Sequence, residues 1–364
     1  MVIKAVIGAN YGDEGKGLMT DYFCHEAIQN GTCLNVLTNG GSQRGHTVCA
    51  DGIRHIFHHF GSGTIAGATT YIPRQFVCNP ITMVAEWKDL NRKKIYPQVF
   101  VNPKAHVSTP YDMIYNMLVR EQENKHNTCG YGIYETQKRN GKKFDFYFHC
   151  SRNDIKRELI KVRNDYYYFR MSETNIRLNP EWEELFYSEE LLNHFMDDLE
   201  TMRHSVHLYD DDILLDYDTV VFENGQGLLL DKDYDSEYGT SSNTGLKAVA
   251  DILDNTSITE LIEACYVSRT YLTRHGDGPL ENECELDLED ETNVYNEHQG
   301  RLRYAPLNMS KLTHRIYKDS SEHPCSKILA FTHADEIAPP IMPAKTGYIS
   351  YGKNRADVTQ VIEF

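Results

Sequence analysis

The hydrophobic and polar positions of this chain form short apolar runs separated by longer segments of helical periodicity. An apolar run at residues 2–8 ends in glycine, a glycine-rich loop follows at 9–15, and a helical pattern then extends from about Lys16 to Ile28. Asn30-Gly31 ends that pattern, and a second apolar run follows at 34–38. Strand, loop, helix and strand in this order predict a βαβ unit of a parallel sheet.

The remaining patterns predict an α/β fold with a mainly parallel central sheet flanked by helices. Further strands are predicted at 98–102, 218–225, 263–274 and 326–333, helices that begin with proline at 80–92 and 110–125, and a hairpin within 46–60 that turns at Asp51-Gly52. We expect a single domain over residues 1–364 with a P-loop-like nucleotide-binding architecture. In it, the charged, tyrosine-rich segment at about 140–215 forms a helical and irregular insertion.

The composition narrows the functional class. The 364 residues carry a net charge of −16, and because a nucleic-acid binder normally has a basic face, we do not expect nucleic-acid binding. The chain has no apolar run of about 18 residues to span a membrane, and its N-terminus lacks the pattern of a signal peptide. Nine cysteines without a C-x-x-C pair argue against a disulfide framework and a zinc site, and favour a reducing, cytoplasmic compartment.

The first loop, NYGDEGKG, has the position and the glycines of a phosphate-binding loop. Gly12, Gly15 and Gly17 allow close approach of the backbone, and Lys16 supplies a positive charge. The hydroxyl that follows the lysine in the common P-loop is missing, so a bound metal needs another oxygen ligand, and Asp13 is in reach. The alternative is a tight turn with solvated charges.

Two further loops follow predicted strands. NGGSQRGHTV places Arg44 and His46 on either side of Gly45, an arrangement that favours an anion site. The loop FENGQGLLLDKDYDSEYGTSSNTG places Gln226 between glycines and ends in hydroxyl and amide side chains. On its own, this last pattern is more typical of a polar loop with self-capping turns.

Together, these stretches resemble one family, the adenylosuccinate synthetases. YGDEGKG is similar to the opening phosphate loop of that family, GGSQRGHTV to its second loop, and HHFGSG to its His-x-x-Pro-Ser-Gly. FENGQGLLLD with TSSNTG resembles its base-reading loop, and YLTRHGDGP its Tyr-x-Thr-Arg-x-Gly-x-Gly-Pro. The matches occur in family order from residue 3 to about 355, which makes the resemblance specific.

The resemblance implies a C–N bond-forming ligase that joins L-aspartate to the 6-position of a purine nucleotide in two steps. Asp13 matches the acid that removes the N1 proton of the base, after which the 6-oxygen attacks the γ-phosphate of a nucleoside triphosphate. His46 matches the histidine that stabilises the transferring phosphoryl group, and Asp13 and Gly45 match ligands of Mg²⁺. The aspartate amine finally displaces the 6-phosphate.

The resemblance also implies the binding residues. Those for the triphosphate are Gly12, Asp13, Glu14, Gly15, Lys16, Gly17, Gly45, His46, Thr47, His333, Asp335 and Gly352. Those for the purine nucleotide are Asp13, Lys16, Gln43, Arg44, Thr128, Cys129, Arg139, Gln226 and Thr240. Those for L-aspartate are Gly300, Arg301 and Arg303. A homodimer with a shared active site is implied as well, with Arg139 as the counterpart of an arginine that reaches the 5′-phosphate in the partner subunit.

Departures from the family pattern concern substrate choice. His333 in THAD replaces the lysine of Thr-Lys-x-Asp, which disfavours GTP, and Gln43-Arg44 replaces Asn-Ala beside the substrate base. Asn224 replaces a glycine, and QGRLRY lacks the middle arginine of the aspartate loop. This combination is similar to the phage branch of the family, whose members use dGMP in place of IMP. We therefore expect dGMP, L-aspartate and ATP or dATP as substrates, with Mg²⁺ as cofactor.

Two alternatives stay open. Many members of the phage branch lack the acid at the Asp13 position, and its retention favours a compact adenylosuccinate synthetase that acts on IMP with GTP. A P-loop-like NTPase switch is an alternative of another class. Such a switch would hydrolyse the triphosphate without aspartate, and it predicts the hydroxyl that is missing after Lys16.

Overall fold

The computed structural model describes residues 1–123, 130–142, 144, 147–148, 151–234, 238–288, 300–340 and 346–362. The strands are β1 (Val2–Gly8), β2 (Cys33–Leu37), β3 (His46–Ala50), β4 (Ile53–Phe57), β5 (Thr69–Ile72), β6 (Val77–Cys78), β7 (Val99–Val101), β8 (His106–Val107), β9 (His207–Leu208), β10 (Thr219–Glu223), β11 (Ile262–Arg269), β12 (Tyr271–Arg274), β13 (Arg303–Pro306), β14 (Cys325–Thr332), β15 (Thr346–Ser350) and β16 (Val358–Ile362). The helices are α1 (Lys16–Ile28), α2 (Pro80–Arg92), α3 (Pro110–Glu123), α4 (Ile133–Asn140), α5 (Arg152–Lys161), α6 (Tyr167–Thr174), α7 (Pro180–Phe186), α8 (Glu189–His204), α9 (Leu246–Leu253) and α10 (Met309–Ser321). Within these ranges, every helix is too short or too polar to cross a membrane.

A mainly parallel sheet forms the centre of the molecule. Its strand order in the described residues is β16-β15-β14-β11-β1-β10-β2-β5-β7-β9, and only β15 and β16 pair in antiparallel fashion. The central strands β2 and β10 are buried along most of their length, as expected where helices cover both faces of a sheet. The predicted α/β fold is therefore confirmed.

Helices cover the two faces of this sheet. Leu18 and Phe23 of α1 pack on one face with Val6 and Val221. On the opposite face, α9 and α10 pack against the side chains that alternate with these along β1 and β10. The helices α5 to α8 lie in the charged segment at about 140–215, and their apolar sides join α2 and α3 in a further core.

The loops that carry the sequence motifs emerge at one edge of the sheet, because the carboxyl ends of parallel strands point in the same direction. Val6 of β1 lies beside Glu223 of β10, and Gly8 lies beside Val267 of β11. This register brings the loops after β1, β2, β10, β11 and β14 together. The fold thus assembles a site from segments that are far apart in the chain.

The hairpin of β3 and β4 has the predicted turn. Ala50 pairs with Ile53, and Asp51 and Gly52 between them have φ angles of 54° and 74°. Two successive residues with positive φ match the twist of the paired strands, which explains the Asp-Gly sequence.

The prediction of one strand at 263–274 is wrong. The chain leaves the central sheet at Thr270, whose N–H and hydroxyl donate to the carbonyls of Thr332 and His333. The following residues form β12, which pairs with β13 in a separate antiparallel sheet. The apolar run continues across this break, so its periodicity alone gave no boundary.

Candidate active site

The first loop folds around the carboxylate of Glu14. This buried carboxylate accepts hydrogen bonds from the backbone N–H groups of Asn10 and Gly12, at 3.0 and 2.8 Å. It also pairs with Lys16 Nζ at 2.8 Å, and Lys16 is itself only 3% exposed. A buried ammonium group needs such a partner. An anion that binds at Lys16 therefore competes with an internal carboxylate.

Two glycines bring neighbouring segments against this loop. A Cβ on Gly17 would lie 2.9 Å from the Thr47 carbonyl and 3.1 Å from His46 Cβ, so glycine allows α1 to approach the start of β3. A Cβ on Gly15 would lie 2.9 Å from Thr332 Cγ2, at the end of β14. The structure thus brings the predicted triphosphate residues of the first two loops together.

Asp13 lies at the exposed tip of the first loop. Its φ is 60°, a left-handed conformation that aspartate tolerates better than most residues, and its side chain is 38% exposed. Arg269 Nε donates to its backbone carbonyl at 2.6 Å, and its carboxylate lies 3.7 Å from His275 Nε2. Arg269 thus holds the backbone of Asp13 in place, while the Asp13 carboxylate remains accessible to a ligand.

Glu223, at the end of β10, holds the second loop. Its buried carboxylate lies 2.5 Å from His46 Nδ1 and 2.7 Å from Arg44 Nη2. The Ser62 N–H donates to it at 3.0 Å, and the Ser62 hydroxyl donates as well. Burial favours the neutral acid, but Arg44, His46 and Ser62 outweigh it and hold the pKa of Glu223 well below its usual range. Glu223 is therefore a fixed anion beneath the loop.

His46 is neutral in this environment. Burial disfavours its charged form and Arg44 repels it, so the pKa of His46 falls to about 4 despite the Glu223 carboxylate. Because Nδ1 faces that carboxylate, we assign the proton to Nδ1, which leaves Nε2 as an acceptor. His46 can donate from Nε2 to a phosphate only when protonated, and an anion bound beside it raises its pKa toward that state.

Glu223 and Ser62 were not predicted as site residues. An acid that ends a buried apolar run was a usable indication for Glu223, and HHFGSG was one for Ser62. Their contact joins residues 161 positions apart. Sequence spacing does not reveal such a pairing.

The amides of Gln43 and Gln226 lie close together. A Cβ on Gly40 would lie 3.0 Å from Gln43 Nε2 and 3.6 Å from Gln226 Nε2. Gln43 Oε1 is buried and accepts no hydrogen bond from the part of the chain that the structure describes. An unpaired buried acceptor costs about 1–3 kcal/mol, so a ligand that donates a hydrogen bond there is favoured.

Two other side chains near the predicted purine site are held by the protein. Arg44 is buried against Glu223, as described above. Asn224 Nδ2 donates to the carbonyls of Thr244 and Gly245, at 2.8 and 3.0 Å, and its Oδ1 accepts from the Thr38 hydroxyl at 2.6 Å. Asn224 therefore stabilises the loop after β10, and its side chain is not free to form hydrogen bonds with a purine base.

Thr240 lies further along that loop. Its hydroxyl donates to the Leu230 carbonyl at 2.9 Å and its N–H to the same carbonyl at 2.7 Å. The hydroxyl oxygen can still accept a hydrogen bond from a ligand.

The predicted base contacts of the triphosphate follow β14. His333 is half-buried with a φ of 58°, and its Nδ1 lies 2.9 Å from the Thr332 hydroxyl. Asp335 is exposed. Gly352 lies in the turn after β15, where a Cβ would come within 2.5 Å of Asp357 Oδ2. His333 and Asp335 therefore lie at the same edge of the central sheet as the first loop, since Thr332 at the end of β14 contacts Gly15.

The predicted aspartate loop lies at the start of β13. Arg303 Nε donates to Glu283 Oε1 at 2.9 Å, and Arg303 Nη2 contacts the second oxygen of the same carboxylate. Arg301 is exposed, and Gly300 has a φ of 71°. Arg303 is thus already bound to a carboxylate in a bidentate way, the mode of contact predicted for L-aspartate.

Arg139 does not lie at the surface. It is fully buried between α3 and α4, where Nε and Nη2 donate to the two oxygens of Asp112 at 3.0 and 2.9 Å. A residue that reaches into a partner subunit must be exposed, so this placement argues against the predicted cross-subunit role of Arg139. Thr128 and Cys129, also predicted for the purine nucleotide, lie outside the described residues.

Comparison with known proteins decides the family. The family model described as adenylosuccinate synthetase matches residues 5–316. The chain belongs to the adenylosuccinate synthetase family. Members of this family are C–N bond-forming ligases of purine biosynthesis, so the predicted family and enzyme class are confirmed. The NTPase switch loses its support.

Individual adenylosuccinate synthetases show the extent of the likeness. That of Clostridium perfringens (strain 13 / Type A) is 31% identical over 338 residues, which cover 85% of this chain and 74% of the relative. That of Borrelia duttonii (strain Ly) is 25% identical over 326 residues, which cover 86% and 72%. The likeness therefore extends over most of both chains.

Two solved structures share the fold. Fully ligated adenylosuccinate synthetase from Plasmodium falciparum has a TM-score of 0.72 and 17% identity, over 100% of this chain and 88% of that one. Succinoaminodeoxyadenylate synthetase of cyanophage S-2L, bound to dGMP and dATP, has a TM-score of 0.65 and 16% identity, over 99% and 95%. At these identities the likeness establishes the adenylosuccinate synthetase fold.

Proposed function

We propose that this ligase joins L-aspartate to the 6-position of dGMP, with ATP or dATP as energy donor. The product is N6-succino-2-amino-2′-deoxyadenylate, a precursor of 2-aminoadenine for phage DNA. The observation that carries the proposal is the unpaired Oε1 of Gln43, buried beside the amide of Gln226. Guanine has a 2-amino donor that hypoxanthine lacks, and a buried acceptor favours the base that can satisfy it.

The chemistry uses the open acid and the paired cations of the site. Asp13 accepts the N1 proton of the base, and the 6-oxygen attacks the γ-phosphorus while the nucleoside diphosphate leaves. His46, protonated beside the phosphates, and Lys16 stabilise the transferring group. The amine of L-aspartate then bonds to C6 and the 6-phosphate leaves. Arg301 and Arg303 bind the carboxylates of L-aspartate.

Mg²⁺ fits this site together with the phosphates. Within the described ranges, no group of three or more His, Cys, Asp or Glu residues is arranged to hold a metal. Mg²⁺ commonly binds through one or two carboxylates plus substrate phosphates, and under this proposal the exposed Asp13 carboxylate and the Gly45 carbonyl would be the protein ligands. A bound ion would neutralise the negative charge that develops on the phosphates.

The preference for an adenine triphosphate rests on His333. A lysine at this position would set a cation against the guanine ring of GTP, and histidine removes it. Asp335 is retained and exposed, and an acceptor there still suits guanine. We therefore propose a partial preference for ATP or dATP over GTP. The dATP named for the cyanophage S-2L structure agrees with this choice.

The alternative substrate pair is IMP with GTP. The retained Asp13 favours it, since its open carboxylate is the base that ordinary members of the family use. The N1–H and the 6-oxo group are common to guanine and hypoxanthine, so the same chemistry serves both. Only the groups that read the 2-amino group and the 2′-position distinguish the two substrates.

Steady-state kinetics test the proposal. We expect kcat/KM for dGMP to exceed that for IMP by about 10- to 100-fold with ATP, L-aspartate and Mg²⁺, as for a site that leaves a buried group unpaired with the wrong base. GMP isolates the effect of the 2′-hydroxyl, and parallel reactions with dATP and GTP rank the donors. Gln43→Met removes the acceptor and should lower kcat/KM for dGMP while sparing IMP. A preference of the wild type for IMP would establish the alternative.

A cytoplasmic homodimer with a shared active site is also proposed. The family resemblance supports it, but a residue other than Arg139 must then reach the partner, because Arg139 is buried in its own subunit. Light scattering during size-exclusion chromatography should give twice the mass of the 41.9 kDa chain. A monomer that is fully active would contradict the shared site.

A further inference from the structure

Among the described residues, four of the five N–H groups of the Arg303 guanidinium donate to acceptors of the protein. Its Nη1 donates to the carbonyls of Gly276 and Gly278, at 3.1 and 2.8 Å. Its Nε and Nη2 form the bidentate pair with Glu283. The edge of the guanidinium that would receive a substrate carboxylate is therefore filled by a carboxylate of the same chain.

The pair with Glu283 is the part of this arrangement that a ligand can displace. The side chains of Arg303 and Glu283 are 29% and 43% exposed, and an ion pair at such exposure stabilises a fold only weakly. The backbone beside Glu283 is fixed, because the Cys284 N–H donates to the Tyr304 carbonyl at 2.9 Å. Glu283 thus remains close to Arg303 after displacement and can return.

Arg303 keeps its position without Glu283. The two carbonyls of the glycine turn hold Nη1, and β13 holds the backbone through the pairing of Arg303 with Arg274. Removal of the Glu283 charge therefore frees one edge of the guanidinium without releasing the side chain. Loss of the Glu283 charge should therefore strengthen the binding of L-aspartate if Glu283 competes with it, and should weaken that binding if Glu283 positions Arg303.

We propose that Glu283 is an internal competitor of L-aspartate, whose carboxylate must displace that of Glu283 from Arg303 before the amino acid binds. The proposal rests on the proposed function of Arg303 as an aspartate ligand. Glu283 then sets the affinity for L-aspartate, although its side chain no longer contacts Arg303 once L-aspartate is bound.

Glu283→Gln tests the competition, because it keeps the size and removes the charge. The KM for L-aspartate should fall about two- to fivefold, the range expected from an exposed ion pair, while kcat and the KM values for both nucleotides stay unchanged. Glu281→Gln is the matched control, since Glu281 is two residues away and pairs with the exposed Lys311. We expect Arg303→Lys to raise the KM for L-aspartate, and adding Glu283→Gln to that variant should lower the KM by a smaller factor than it does in the wild type. A KM that rises or does not change in Glu283→Gln overturns the proposal.

A direct measurement of L-aspartate binding tests the competition independently of the proposed ligase activity. Calorimetric titration with L-aspartate, in the presence of dGMP, measures the dissociation constant without turnover. Tighter binding in Glu283→Gln supports the competition even if no product forms, in which case the proposed ligase reaction fails alone. Normal product formation with unchanged binding in Glu283→Gln overturns the competition and leaves the reaction intact.

Discussion

At the scale of single residues, the site combines one open acid with several charges that are already paired. Glu14 and Glu223 are buried and each holds a cation of the site, Lys16 in the first case and Arg44 in the second. Asp13 differs, because its carboxylate is exposed and its backbone is fastened by Arg269. Among these three acids, Asp13 alone has the exposure that a proton acceptor for a bound substrate needs.

We expect Asp13→Asn to lower kcat by about 10²–10⁴-fold, the usual cost of removing a general base. The substitution keeps the size and the tolerance for positive φ, so the loop should keep its shape. Single-turnover formation of the nucleoside diphosphate measures the loss at the phosphoryl step, and thermal unfolding checks the fold. Near-normal turnover would show that another group accepts the N1 proton.

The contact of Glu223 with His46 predicts a shift in the pH dependence of catalysis. Glu223 favours the protonated form of His46, so we expect Glu223→Gln to lower the pKa of His46 further. Protonation of His46 would then occur only at a lower pH. We expect kcat near pH 7 to fall, approaching the roughly 10²–10³-fold loss expected of His46→Ala. The pH profile of kcat separates this effect from simple loss of folded enzyme. A uniform fall at every pH would assign Glu223 a structural role.

At the scale of elements, the sequence predicted the strands and helices that have a strong local pattern. The helix at 80–92 and the hairpin turn at Asp51-Gly52 were confirmed, because proline and Asp-Gly mark them locally. The two-residue strands β6, β8 and β9 escaped prediction because so short a strand has no periodicity. The longer strands β5, β13, β15 and β16 were not predicted either. The site loops were found through their glycines, whereas the long-range ion pairs that shape them were not.

The packing of α4 against α3 predicts a structural role for Arg139. Its buried pair with Asp112 includes the Tyr167 hydroxyl, which donates to Asp112 Oδ1 at 2.5 Å and ties in α6. Arg139→Met leaves that carboxylate buried without its cation, which typically costs about 3–5 kcal/mol. We expect this loss in chemical denaturation, against a change of about 1 kcal/mol or less for Arg152→Met, whose ion pairs are exposed.

The same variant tests the earlier prediction for Arg139. If Arg139→Met has normal stability and no activity, and hybrid dimers with Asp13→Asn regain activity, Arg139 acts across the subunit interface. Instability with no such recovery assigns it to the core of its own subunit.

At the scale of the whole molecule, the net charge of −16 must be reconciled with anionic substrates. The structure concentrates Lys16, Arg44 and the N-terminus of α1 at one edge of the sheet, where the parallel strands end. Buried carboxylates neutralise the cations until the substrate arrives. The overall charge could be read from the sequence, whereas this local balance depends on register and on contacts between distant segments.

Histidines that the fold shields from solvent make its stability sensitive to acid, and the half-buried His106 allows a clean test. Burial, together with repulsion from Arg74 and Arg139, lowers the pKa of His106 to about 4. In the unfolded chain its pKa is about 6.5, so the unfolded state binds a proton that the native state excludes, and stability falls as the pH drops from about 6.5 to about 4.

His106→Gln removes this contribution. Between pH 7 and pH 5, the variant should lose less unfolding free energy than the wild type, by on the order of 2 kcal/mol. His46 and the carboxyl groups titrate in both proteins, so they cancel in this comparison. Urea denaturation at both pH values gives the difference, and equal losses in the two proteins would refute a neutral, half-buried His106.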